Sequence, residues 1–159
     1  MAWAKNGTPK TLSSAGDTIT ISDLTSKKFN VLLSHLFTSG YALGYFRFDN
    51  ISTNSYASRF CDNGGSDTTL TSQSDVVWRW GTSNETFFGV GYCINISGEE
   101  KLVICFLFSS QSAGAGNAPA RREVVGKYTG TSQFTRVDIV NTDTGDYATD
   151  SNLSVLGTD

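Results

Sequence analysis

The run Leu102–Phe108, LVICFLF, constrains this chain more than any other, because both of its alternating sets of side chains are apolar. Successive side chains of a strand point to opposite faces. A strand with one face on a core therefore alternates apolar and polar, whereas a strand apolar on both faces needs cover on both sides. That cover comes from a second sheet, a loop or a neighbouring subunit. The run sits inside Glu99–Tyr128, between a charged turn and the small-residue stretch Ser109–Ala118, and a second strand-like run with Arg121-Arg122-Glu123 follows. This pattern points to packing and assembly rather than to a catalytic job.

Composition supports strands over helices. The 159 residues hold 20 Ser, 19 Thr, 16 Gly and 10 Phe but only 2 Pro, and hydroxyl, β-branched and aromatic residues suit strands and turns. Turn formers recur at short intervals: Asn63-Gly64-Gly65, Gly81-Thr-Ser-Asn84, Ser97-Gly98 and Thr144-Gly145-Asp146. Between them, strands are expected at Thr18–Ser22, Tyr56–Cys61, Asp67–Thr71, Val76–Trp80, Phe87–Ile96, Lys101–Phe108, Arg121–Tyr128, Phe134–Val140 and Asn152–Leu156. In the run Phe87–Ile96, residues Phe88, Val90, Tyr92, Ile94 and Ile96 share one face. The segment Ser26–Thr38 fits a helical stripe through Phe29, Leu32, Leu33 and Leu36. It also fits period two through Phe29, Val31, Leu33 and Phe37, and the strand pattern of the following LGYFRFDN favours strand, with Ser39-Gly40 as a hairpin tip. The expected fold class is all-β, a single β-sandwich of jelly-roll type with about ten short strands. Residues 1–16 form an extended N-terminal arm and residues 17–159 the β-sandwich domain.

Charge and cysteine content narrow the function classes. A net charge of −3 argues against a nucleic-acid partner, which needs a basic face. The N-terminal MAWAKNGTPK lacks the apolar core of a secretion signal. Leu102–Ala120 is polar and Gly-rich over its second half, so no membrane partner is expected. Cys61, Cys93 and Cys105 lack CxxC or Cys/His spacing, so free thiols of a reducing cytoplasm are expected, with no metal and no cofactor. The five Asn-x-Ser/Thr triplets follow from the density of Ser and Thr.

Candidates for chemistry are few. His35 is the single histidine, and it lies inside an apolar run. No GxSxG, P-loop or HExxH motif occurs, so no catalytic residue is assigned. A carboxylate pair acting on surface polysaccharide is the weakest of three functional readings. Asn141–Asp146 carries oxygen side chains at alternate positions like a calcium loop, but its glycine falls early and Asn152 stands where Glu closes such loops. Trp78 and Trp80 lie two apart and share one face of a strand, where one or both fill the core or a subunit contact. The other reading makes them, with Tyr41 and Tyr45, candidate glycan contacts. Arg121, Arg122 and Glu123 form a compact charge cluster; alternation sends Arg121 and Glu123 to one face and Arg122 to the other. With Trp3 these three are the candidate subunit or capsid contacts.

The runs YASRFCDNGG (Tyr56–Gly65), EEKLVI (Glu99–Ile104), GAGNAPARREVVGKY (Gly114–Tyr128) and TRVDIVNTDTGDYATDSNLSVLG (Thr135–Gly157) resemble small β-rich proteins of tailed bacteriophages. The resemblance covers most of the chain beyond Thr18. It implies a non-enzymatic virion structural protein of the capsid-decoration, head-fibre or tail-fibre type, with no catalytic residues to carry over. The short arm departs from fibre proteins, which have shaft or attachment regions, and favours a compact capsid knob. The implied partners are further copies of the chain, as a homotrimer or homodimer, and the major capsid protein. The alternative is a receptor- or glycan-binding module of a tail or head fibre, with a host-surface glycan as ligand. The expected location is the virion, assembled in the host cytoplasm.

Overall fold

In the computed structural model, residues 2–159 are described, with the side chains of residues 79–82 left outside that description. Among the described residues the chain is all-β. Its strands are β1 (Ala4–Lys5), β2 (Lys10–Thr11), β3 (Thr18–Ile21), β4 (Phe29–Ser39), β5 (Tyr41–Phe48), β6 (Tyr56–Asp62) and β7 (Thr68–Gln73), followed by β8 (Val76–Ser83), β9 (Thr86–Ile94), β10 (Lys101–Ser109), β11 (Ala120–Tyr128), β12 (Val137–Val140), β13 (Asp146–Tyr147) and β14 (Asn152–Thr158). The two-residue strands β1, β2 and β13 are the ones without a local pattern in the sequence.

Two antiparallel sheets of unequal width make the sandwich. The wide, ten-stranded sheet runs β1-β14-β4-β9-β10-β11-β6-β7, with β2 on β14 and β13 on β4, and the narrow sheet runs β3-β12-β5-β8. The strand order establishes the sandwich and not a jelly-roll winding within it. Strands β1 and β2 lie along β14 and close that edge of the wide sheet, where Ala4 pairs with Gly157 and Lys10 with Leu153. Asn6 anchors this segment, donating to Asn30 Oδ1 at 2.8 Å and accepting from the Thr25 backbone N–H at 2.9 Å.

The core fills the space between the sheets. Ile19, Phe46, Phe48, Val76, Trp78, Val137 and Ile139 of the narrow sheet meet Leu32, Leu36, Phe87, Val103, Cys105, Leu107, Val124 and Val155 of the wide one. Ser26–Thr38 resolves as strand, since β4 has Leu32, Ser34 and Leu36 buried on alternate positions. Ser39-Gly40, however, is not a hairpin tip. β4 and β5 belong to different sheets, and Gly40, at φ +78°, turns the corner between them. Gly145 packs on that corner so closely that a Cβ would sit 2.6 Å from the Gly40 carbonyl carbon and the Tyr41 oxygen. By contrast Asn63 (φ +52°) and Gly64 (φ +76°) do make a tight reversal between β6 and β7, closed by the Gly65 N–H donating to Asp62 O at 2.8 Å.

Buried polar groups fasten the loops. Lys101 is sealed from solvent, and its ammonium donates to the carbonyls of Ile96, Glu99 and Thr131 at 2.6, 2.5 and 3.1 Å. All three of its donors are thereby satisfied. Asn95 acts as a side-chain strand, donating to Phe134 O at 3.1 Å and accepting from Phe134 N–H at 2.8 Å.

Candidate functional site

β10 carries the feature that the sequence makes conspicuous. Val103, Cys105 and Leu107 face the core, whereas Leu102, Ile104, Phe106 and Phe108 point outward and keep 40–52% of their surface exposed. Within this single chain only one of the two apolar faces is covered. The registers of the neighbouring strands extend the outer face sideways. His35, Phe88, Phe108 and Arg121 form one cross-strand row, and Leu33, Val90, Phe106 and Glu123 the next. A third row holds Val31, Tyr92, Ile104 and Val125. Side chains opposite each other in a sheet lie within contact distance, so these rows form one surface across β4, β9, β10 and β11 that is apolar along β9 and β10 and bordered by His35, Arg121 and Glu123. Phe88, Tyr92 and Val125 are, like the β10 residues, about half exposed.

Trp3 lies at one end of this surface. Its ring, itself 47% exposed, borders an open trough of about 460 Å³ together with Phe29, Tyr92, Ile94, Leu102 and Ile104. A second groove is formed by Cys61, Ile104, Phe106, Glu123 and Val125. Along β11, β6 and their loops the surface ends in charges that pair with one another: Arg121 with Glu123 at 3.4 Å, Arg59 with Asp67 at 3.5 Å and Lys127 with Glu100 at 3.0 Å. The rim on that side is thus polar and carries both signs.

The charge cluster divides as alternation requires, and one member leaves the surface. Arg121 and Glu123 stand outward, while Arg122 turns inward and is only 8% exposed. Its guanidinium grips Asp62 with two bonds, at 2.7 and 2.8 Å, and lies 4.3 Å over the Phe60 ring. Arg122 thus fastens β11 to β6, holding the Asp62 carboxylate bidentately.

Of the aromatic residues considered for glycans, Trp78 is withdrawn from the surface. Trp78 is wholly buried, and its indole N–H donates to Ser34 Oγ at 3.0 Å. The ring occupies a slot over β9, where a Cβ on Gly91 would stand 2.9 Å from two of its carbons and one on Gly89 3.1 Å from a third. Two glycines on one face of a strand, in FFGVGYC, are the sequence signal that a bulky ring from the facing sheet lies on them. Tyr41 and Tyr45 share the outer side of β5, Tyr41 exposed and Tyr45 half-buried, with its pKa raised by that burial and by the Asp75 charge. The Trp80 side chain lies outside the described residues.

The remaining candidates are structural in their contacts. Asn141 spends its side chain as a staple: Oδ1 accepts from Leu43 N–H at 2.8 Å, and Nδ2 donates to Asp17 Oδ1 at 2.8 Å and to Gly145 O. His35 is exposed on the outer face and meets the Phe37 ring edge-on at 4.5 Å. Among the described residues no group of three or more His, Cys, Asp or Glu is placed to hold a metal ion. Cys93 and Cys105 are buried free thiols, which burial pushes up in pKa, and Cys61 is half-buried on the outer face. No family model, curated protein or solved structure matches this chain.

Proposed function

We propose that the chain is a non-enzymatic virion structural protein, a capsid-decoration knob that associates with further copies of itself and docks on the phage head through the major capsid protein. One observation carries the assembly part: seven large apolar side chains on one sheet face, Phe88, Tyr92, Leu102, Ile104, Phe106, Phe108 and Val125, are each 40–52% exposed. Side chains of this kind present roughly 150–250 Å2 each when free, so the patch offers on the order of 700 Å2. A monomer rarely exposes a contiguous apolar patch beyond about 300–600 Å2 without using it. The virion part rests on the phage-like sequence runs.

Co-sedimentation with heads purified from the encoding phage tests this function. Wild-type protein is expected to pellet with the heads at a fixed ratio to the capsid subunit. Protein that stays in the supernatant with heads lacking it would overturn the decoration reading.

A further inference from the structure

We propose that the outer face of the wide sheet is covered by the same face of a second copy, in an isologous two-fold dimer centred near Ile104. This deepens the assembly reading above and rests on it, adding the partner, the symmetry and the contact residues.

The number of apolar patches selects the symmetry. A cyclic trimer is held by a heterologous contact, in which one patch meets a different patch on the next copy, whereas a two-fold dimer needs one self-complementary patch. Among the described residues only the wide sheet offers a broad apolar outer face. The narrow sheet's outer face is closed by its own polar bonds, Arg136 and Thr20 on Asp138 and Arg47 on Asp75. Among the described residues its one exposed large apolar side chain is Tyr41. One patch of this size fits pairing with itself, and the described residues offer no second apolar surface for a ring.

Area and charge agree with that choice. The exposed apolar side chains, with Trp3 at the margin, come to on the order of 800 Å2, which is what each partner of a standard stable interface buries. Sheets stack face to face with their inner residues interdigitated about 10 Å apart, and the alternating exposed rows at Phe88–Phe108 and Tyr92–Ile104 are the surface such stacking uses. The rim carries Arg59, Arg121 and Lys127 beside Asp67, Glu100 and Glu123. Mixed signs let a copy meet itself, where a single-signed rim would repel its own image.

Sedimentation equilibrium over protein concentrations up to about 100 µM, a hundredfold above a micromolar contact, is the test, with Ile104→Lys and Tyr41→Lys as variants. A dimer is expected for wild type and Tyr41→Lys, and a dissociation constant raised roughly 30-fold or more for Ile104→Lys, as for a central hot spot. Cys61 supplies a second readout that needs no variant, because it lines the groove with Ile104 and Phe106 while Cys93 and Cys105 are buried. Its alkylation by iodoacetamide should slow as wild-type concentration rises. A trimer, a dimer untouched by Ile104→Lys, or Cys61 alkylation independent of concentration overturns the proposal. A wild-type monomer that still binds phage heads overturns it together with self-association and leaves the head-docking part of the proposed function standing; a monomer that binds no heads removes both.

Discussion

The outer faces of the two sheets differ in whether the single chain completes them. On the narrow sheet Asp138 is fully buried yet accepts from Thr20 at 2.6 Å and from Arg136 at 2.8 and 2.9 Å, and Arg47 reaches Asp75 at 3.2 Å. Among the described residues that face pairs its own charges, with Arg47 Nε alone left without an acceptor. On the wide sheet the same position in the architecture holds Phe88, Tyr92, Ile104 and Phe106, about half exposed. The difference lies in which residues fill the outward positions. A completed polar face marks solvent, and an unfinished apolar one marks a partner.

Breaking the completed face should cost the most. Asp138→Ala strands Arg136 and Thr20 and removes a buried carboxylate that accepts four bonds. It is expected to lower unfolding free energy by about 3 kcal/mol in urea titration, and a loss under ~0.5 kcal/mol would mean that face is not held by its ion pairs. Gly91→Ala and Tyr92→Ser then sharpen the contrast between inner and outer sides at adjacent positions of β9. The alanine Cβ would press on the rigid Trp78 ring from 2.9 Å, costing about 1–3 kcal/mol. Tyr92→Ser, on the outer side, should cost the isolated chain less than half as much.

Alkaline pH probes the sealed interior next. Burial raises Cys93, Cys105 and Tyr56 above the ordinary thiol and phenol values of 9.0 and 10.0. The unfolded chain therefore releases protons there before the folded chain does, and the stability these groups contribute is full below pH 9 and lost as pH rises above it. Lys101, pushed down by burial, works with the opposite sign, but three raised groups outweigh one. The urea midpoint should fall between pH 8.5 and 10.5, and the fall should shrink in Cys93→Ala; a rising midpoint would contradict the sealed thiols. The smallest stability effect belongs to Ile104→Lys, within about 0.5 kcal/mol for the dilute chain, with its consequence confined to association.

What was legible in the sequence followed local period. LVICFLF announces two apolar faces, alternation separates Arg122 from Arg121 and Glu123, and β4 reads as strand through Phe29, Val31 and Leu33. Long-range placement was not legible. Ser39-Gly40 looks like a hairpin tip because turn chemistry reports a reversal and not which sheet the chain enters. Trp78 looks like half of a surface pair because spacing gives a shared face and not its direction; Gly89 and Gly91, on another strand, hold that information. Asn95, Asn141 and Lys101 bond across 39, 98 and 30 residues, and the β1 and β2 pairings join the two ends of the chain, so no window of sequence contains them.

Side-chain footprinting with a diffusible carbene, read residue by residue in dilute and in concentrated or head-bound protein, tests most directly whether the wide sheet's outer face is a covered surface. Phe88, Tyr92, Phe106 and Phe108 should lose most of their labelling on assembly while Tyr41, on the narrow sheet, keeps its own. Equal labelling of those four residues in both states, with the narrow sheet protected instead, would contradict the account.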